Sequence, residues 1–378
     1  MSSPALDALR PIPSALWQET RALAADLSTW REPVKAVLAV LLATAVSCAF
    51  HLEDNAWAAL SGFLVMRTSF GESAPRGGQR MLGTLAGAAL GFGLARYTSA
   101  SVPLLMVTFV VVTFVCVYQS TVSVASYAWV LFGVTAAMVM TAAFASPADT
   151  IDFASTRIAE VGIGTLCGIV VSGLFELFRQ PSAPPPQPLP SPGSRLTLRR
   201  LLDENWRRDH AAILAHASRA AIAVGSLPLV WRAFSITDIS ATAVTSFIVM
   251  IMPATVVEQE GIAAIYQRAV YRVLGCVMGG LLALLLLPLA GDSLPLYGLT
   301  LALGVGIGVH IQGGRSGLSY VGTQFCFAFI VTLVQGPGPA TSITPGFQRL
   351  VGIAIGCLVL GAVVVVWPPP PVRTRRAA

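Results

Sequence analysis

Long apolar runs recur along this 378-residue sequence, each separated from the next by a short polar, glycine- or proline-containing stretch. A run of about 17–25 apolar residues is long enough to cross the hydrocarbon core of a bilayer as one helix. The runs therefore predict an all-α integral membrane protein with about twelve transmembrane helices. The predicted spans lie near 34–50, 55–70, 81–97, 102–118, 124–145 and 156–178, and then near 213–231, 239–256, 271–289, 294–311, 317–334 and 347–367.

Polar segments divide the chain into five predicted parts. Apolar residues at helical spacing in 1–32 predict an amphipathic cytoplasmic helix at the membrane surface; they are Leu16, Leu23, Leu27 and Trp30. The segment 179–212 begins RQPSAPPPQPLPSPGSRLTLRR, a composition that is typical of a stiff, basic linker. The remaining parts are a first membrane repeat at 33–178, a second at 213–368 and a basic tail at 369–378.

The two sets of spans share a series of residues in the same order, which indicates an internal duplication. Each set contains about six spans, so both repeats enter the membrane in the same direction and any transport path is expected between them. The matched pairs are Arg80 with Arg272, Gly83 with Gly275, Gly87 with Gly279, Asp54 with Asp238, and Arg157 with Arg349.

The placement of lysine and arginine predicts the orientation. With the N-terminus inside, nearly all of the 24 basic residues face the cytoplasm; the exceptions are Arg96, Arg157, Arg232 and Arg349. Both termini and the linker are therefore predicted to be cytoplasmic, in a multi-pass protein of the inner membrane.

Composition narrows the function classes. Hydrophobic residues make up 55% of the chain and charged residues 11%, so membrane lipids are expected neighbours. The six cysteines lie inside apolar runs, and no metal-ligand spacing, nucleophile–base set or phosphate loop is present. The basic residues cluster at membrane edges, which accounts for the positive charge without nucleic acid. We therefore predict no cofactor, no metal and no enzymatic activity.

Four arginines are the candidate substrate-binding residues. Arg80 and Arg272 are predicted to begin spans on the cytoplasmic side, either as snorkelling anchors or as ligands of an anion. Arg157 and Arg349 are predicted to begin spans on the outer side, against the general charge bias. A structural ion pair with an aspartate or a permeating carboxylate would explain them equally well.

Three acids and one aromatic residue complete the set of candidates. Asp54 and Asp238 are predicted helix caps and possible partners of the arginines. Glu160 lies one turn after Arg157, so it is a candidate for proton coupling or a simple i,i+3 ion pair. Trp57 is interpreted as an interfacial anchor, with a stacking surface as the alternative.

The motif R-x-x-G-T-x-x-G at Arg80, Gly83, Thr84 and Gly87, preceded by NAWAALSGFLVM around Trp57, resembles the fusaric acid resistance family. The resemblance implies an inner-membrane exporter of aromatic carboxylic acids or related organic anions, driven by the proton gradient. It also implies that a periplasmic adaptor protein can be a partner. The alternatives are a major facilitator transporter, a passive organic-anion channel and a non-transporting membrane scaffold.

Overall fold

A computed structural model describes most of the chain. The described residues are 30–178, 203–234, 239–259, 262–291, 293–314, 317–336, 338–339 and 344–368, together with positions 14, 200 and 342. Several predicted features lie outside these residues: Leu16, Leu23 and Leu27 of the amphipathic segment, most of the proline-rich linker, Asp238, and the tail at 369–378.

The described residues form fourteen helices and one very small sheet. The helices from the first half of the chain are α1 (Arg31–Ala49), α2 (Asn55–Val65), α3 (Phe70–Thr98), α4 (Val102–Val122), α5 (Ser126–Ala145) and α6 (Thr150–Glu176). Those that follow are α7 (Glu204–Asp209), α8 (Ala211–Phe234), α9 (Ile239–Val249), α10 (Ala254–Gln259), α11 (Ile262–Ala290), α12 (Leu294–Gly313), α13 (Ser319–Leu333) and α14 (Thr344–Val366). Strands β1 (Val334–Gln335) and β2 (Gly338–Pro339) pair antiparallel between α13 and α14.

The all-α membrane class is confirmed, but the count of twelve spans in two six-helix repeats is not. Eight of the described helices are long and apolar enough to cross a membrane. Three predicted spans are instead shorter helices: α2 and α9 have 11 residues each, or roughly 16 Å, and α13 has 15, or roughly 22 Å. The fourth, near 81–97, lies in the 29-residue helix α3, which is not one of the eight. Helix α2 stops at Met66, whose ψ of 130° leaves the helical region. Helix α9 stops shortly before Pro253, in keeping with the bias of a pre-proline residue away from the helical region.

The chain divides into two compact units. The first unit contains the described parts of 1–81, 155–183 and 270–350, and the second contains those of 82–154, 184–269 and 351–378. Each unit therefore takes segments from both halves of the sequence. The predicted repeat boundaries at 33–178 and 213–368 stay a prediction.

In the first unit, α1 packs against α2 and α12, and α13 packs against α12 and α2. Close approach in this unit depends on glycine. A Cβ added at Gly164 of α6 would lie 2.0 Å from the Ala58 carbonyl oxygen of α2, and one at Gly275 of α11 would lie 2.5 Å from the Val321 carbonyl oxygen of α13. Only glycine lets these backbones meet at such distances.

In the second unit, α4 packs against α8 and α5, and α9 packs against α5 and α8. Buried polar side chains of α8 bind backbone oxygens at the ends of other helices. The His216 ring lies 2.8 Å from the Met250 carbonyl oxygen just after α9. Arg219 donates to the carbonyl oxygens of Trp367 and Pro368 after α14, at 2.7 and 3.2 Å. These contacts satisfy carbonyl groups that a helix end leaves without an intrahelical partner.

The substitution Gly164→Ala tests the close approach of α6 to α2. Because the new methyl group would meet backbone rather than a flexible side chain, we expect a loss of about 1–3 kcal/mol of stability. Thermal unfolding of the detergent-purified protein measures the effect. The control is Gly361→Ala on α14, where a Cβ has open space around it and alanine is the better helix former. Equal midpoints for the two variants would contradict this packing.

Candidate functional site

All four candidate arginines lie in the first unit, and none begins a helix. Helix α3 begins at Phe70 and α11 at Ile262, so Arg80 and Arg272 each lie roughly three turns inside a helix. Their predicted position at a helix start is therefore wrong, and their cytoplasmic side stays a prediction. The polar residues of the first turns of α3, including Glu72 and Arg76, conceal this helix start from an analysis based on apolar runs.

Two aromatic rings gather three of the four arginines into one cluster. The Arg157 guanidinium carbon lies 4.2 Å from the centre of the Trp57 ring, and that of Arg349 lies 5.4 Å from the same ring. Phe327 has Arg349 at 5.2 Å and Arg272 at 6.0 Å. The two rings meet edge to face, with centroids 6.1 Å apart. Such cation–π contacts attract each guanidinium group to a ring face without neutralising its charge.

Neutral hydrogen-bond acceptors orient Arg80 and Arg272. Arg80 donates from Nη2 to the Ser61 hydroxyl on α2 at 2.9 Å, and Arg272 donates from Nη1 to Oε1 of Gln324 on α13 at 2.6 Å. Both arginines are at most 2% exposed. A hydroxyl or amide oxygen accepts a hydrogen bond but brings no negative charge, so these contacts fix the two side chains while preserving their positive field.

Two carboxylates contact Arg157. Its guanidinium nitrogens lie 3.3 Å from Glu160 Oε2 and 3.8 Å from Asp54 Oδ2. Glu160 also accepts the backbone N–H of Asp54 at 3.0 Å. Asp54 occupies the N-cap of α2, but its side chain makes no capping hydrogen bond. Its predicted role as a side-chain cap is therefore wrong, and the contact to Arg157 replaces it.

The burial of the acids differs sharply. The side chain of Glu160 is 1% exposed and that of Asp54 is 47% exposed. The electrostatic field at Arg157 also includes the charges of Arg349 and Arg80. Glu160 thus stabilises buried cations. Asp54 contacts Arg157 from the N-terminal end of α2, where the Asp54 side chain is accessible.

The cluster corrects two further expectations. The sequence predicted an inner pair of arginines and a separate outer pair, but Arg272 and Arg349 share Phe327 and therefore belong to one site. Trp57 is 6% exposed and lies under Arg157, so its interpretation as an interfacial anchor is wrong. Phe327 and Gln324 were missed because no charge or motif marks them, and Ser61 was not singled out although it lies within NAWAALSGFLVM. Gly275, three residues after Arg272, was the available signal of these contacts. A glycine there lets α13 pack closely against α11, which brings α13 alongside Arg272.

The fold and the cluster together define the class of protein. Within the described residues, eight helices that can cross a membrane indicate a multi-pass membrane protein with lipid around it, and the charged cluster is buried inside its first unit. Residues 29–185 match the fusaric acid resistance protein family, and residues 229–364 match a fusaric acid resistance protein-like family. The chain belongs to the fusaric acid resistance family, which confirms the resemblance seen in its sequence.

Neither a curated protein nor a solved structure matches the chain. Proteins of this family are membrane transporters, which assigns the chain a role in transport or efflux. Membership of this family leaves the major facilitator alternative without support.

The buried ion pair can be tested through stability. Arg157→Met leaves Glu160 as an uncompensated buried charge, which we expect to cost about 3–5 kcal/mol. Adding Glu160→Gln removes that charge, so the double variant should recover most of the loss. Thermal unfolding in detergent measures both variants.

The matched control is Arg208→Met, which breaks the exposed ion pair to Glu204 with N···O 3.1 Å and should change stability little. A double variant as unstable as Arg157→Met alone would show that Glu160 is not the group left uncompensated.

Proposed function

We propose that this chain exports small carboxylate anions, principally aromatic acids, from the cytoplasm across the inner membrane. The single observation that supports the proposal most is the cluster itself: four arginines, two carboxylates and two aromatic rings within one unit. Binding of a substrate carboxylate by these arginines is the proposed role of Arg80, Arg157, Arg272 and Arg349.

Charge favours an anionic substrate. The cluster brings four guanidinium groups together with the carboxylates of Asp54 and Glu160. A cation inside a membrane protein is costly, at about 2.5–3.5 kcal/mol even on insertion scales. A bound carboxylate lowers this cost, and the planar guanidinium fork matches it with two parallel hydrogen bonds.

The rings favour an aromatic substrate. Trp57 and Phe327 lie edge to face with ring centroids 6.1 Å apart, and a substrate ring that packed against either of them would gain about 0.5–1.5 kcal/mol beyond its buried area. The cluster also joins the two halves of the sequence, because Trp57 comes from the first half and Phe327 from the second. This arrangement supports a path between the two repeats.

Glu160 is the proposed proton-coupling residue. Its carboxylate is buried beside Arg157, so protonation of Glu160 would free Arg157 for the substrate anion. A passive organic-anion channel is the second candidate function, favoured by the concentration of guanidinium groups in the cluster. A periplasmic adaptor, an inner-membrane location and cytoplasmic termini complete the proposal, and they rest on family resemblance and on the distribution of basic residues.

Lysine substitution tests the role of the arginines. A lysine keeps the charge but loses the fork and the charge-assisted hydrogen bonds, each worth about 1.5–3 kcal/mol. We therefore expect Arg80→Lys and Arg272→Lys to be expressed normally and to export benzoate at least about tenfold more slowly from cells that lack their native exporters. Arg96→Lys, at an exposed arginine near the end of α3, is the control. If both cluster variants export benzoate at the wild-type rate, Arg80 and Arg272 have a structural role and do not bind the substrate.

Substitution of Glu160 separates coupled transport from passive conduction. In proteoliposomes, the wild type should accumulate benzoate against its gradient when a pH gradient is imposed. Glu160→Gln should abolish this accumulation and keep movement down the benzoate gradient, because glutamine retains the hydrogen bond to Asp54 but carries no titrating proton. A wild type that never accumulates benzoate would favour the channel.

A further inference from the structure

A cavity of about 170 Å³ opens at the other end of α2, in the first unit. One water molecule needs only about 10–15 Å³, so the space is large enough for a small organic molecule. It is lined by Glu32, Ala36, Phe63, Met66, Arg67, Thr68, Val309, Gln312 and Gly313.

The lining is amphipathic. Phe63, Met66 and Val309 give an apolar wall, while Arg67 supplies a cationic side chain at the rim. Arg67 is exposed, and no ion pair joins it to an acid among the described residues. An apolar wall with one guanidinium group suits a small molecule that has an apolar body and one carboxylate.

The end of a helix normally repels an anion, because its free carbonyl groups carry a partial negative charge. The positive charge of Lys35 offsets part of that field here. Lys35 is buried near the start of α1, and its ammonium group donates to the carbonyl oxygens of Arg67 and Thr68, just beyond α2. The ammonium group also lies 3.6 Å from Glu32 Oε2, so it balances the acid on the cavity wall. With Lys35 and Glu32 paired, Arg67 is the remaining charged residue of the lining.

We propose that this cavity is a second binding site for the same class of small carboxylate, with Arg67 as the ligand of the carboxylate and Phe63 and Met66 as the contacts of its apolar body. The proposal rests on the proposed function. Phe63 lies six residues after Trp57 on α2, or roughly 9 Å along the helix axis. Helix α2 therefore carries a site near each end, and two sites of moderate affinity suit passage better than one tight site, since the anion must also leave.

Calorimetric titration of the purified full chain in lipid nanodiscs with benzoate tests the proposal. The wild type should show two binding events. Arg67→Gln should weaken one of them at least tenfold and keep the other. Ala36→Leu fills the cavity from α1 without changing charge, and it should remove the same event while keeping or raising thermal stability.

Arg80→Gln should remove the event that Arg67→Gln keeps. Arg96→Gln, a matched loss of one exposed arginine, should leave both events unchanged. If Arg67→Gln and Ala36→Leu both bind benzoate like the wild type, the cavity is not a binding site, and the proposed function stands on the Arg80 event alone. If Arg80→Gln binds benzoate like the wild type while Arg67→Gln and Ala36→Leu each lose a binding event, the cavity is the binding site and the arginine cluster is not. An absence of benzoate binding to the wild type overturns both proposals.

Discussion

The cost of placing positive charge in a low-dielectric interior is the constraint on which the rest of this structure depends. Arg80, Arg157 and Arg272 are almost completely buried, where an unsupported guanidinium group is strongly unfavourable. The chain stabilises them with aromatic faces, with neutral oxygen acceptors and, for Arg157, with carboxylates. None of these supports works at long range, so the helices that provide them must approach closely. That requirement explains glycine at Gly164 and Gly275, where backbone meets backbone.

Helix α2 is the element on which these supports converge. At 11 residues it spans only about half of the hydrocarbon thickness, so the polar groups at its ends need partners from protein as well as from water. Glu160 accepts the N–H of Asp54 at its start, and Lys35 binds carbonyl oxygens beyond its end. Between them, α2 presents Trp57 and Ser61 to two of the arginines. Helix α2 therefore has a partnered backbone group at its start, beside the arginine cluster, and partnered carbonyl groups beyond its end, beside the cavity.

The sequence predicted the membrane class and marked the four arginines of the cluster as candidates, because length and charge are local properties. It placed Arg80 wrongly, since the polar first turns of α3 hide a helix that begins at Phe70. It also missed the contacts that define the site. Trp57 and Phe327 lie far apart in the chain, and the periodicity of each helix shows only which face is apolar. Which two faces meet depends on packing between helices, so Gln324 could not be paired with Arg272 in advance.

The two halves of the chain provide matched arginines in unmatched surroundings. In the first half, Arg157 is held by Glu160 and Asp54, whereas the residue matched to Glu160 in the second half is Gly352. The Arg349 guanidinium lies instead between the Trp57 and Phe327 rings. An anion that binds beside Arg157 must compete with carboxylates, but one that binds across the rings meets no such competitor from Gly352. Under the proposed function, protonation of Glu160 would therefore act on the Arg157 side of the cluster and leave the side around Arg349 unchanged, because Gly352 carries no titrating group.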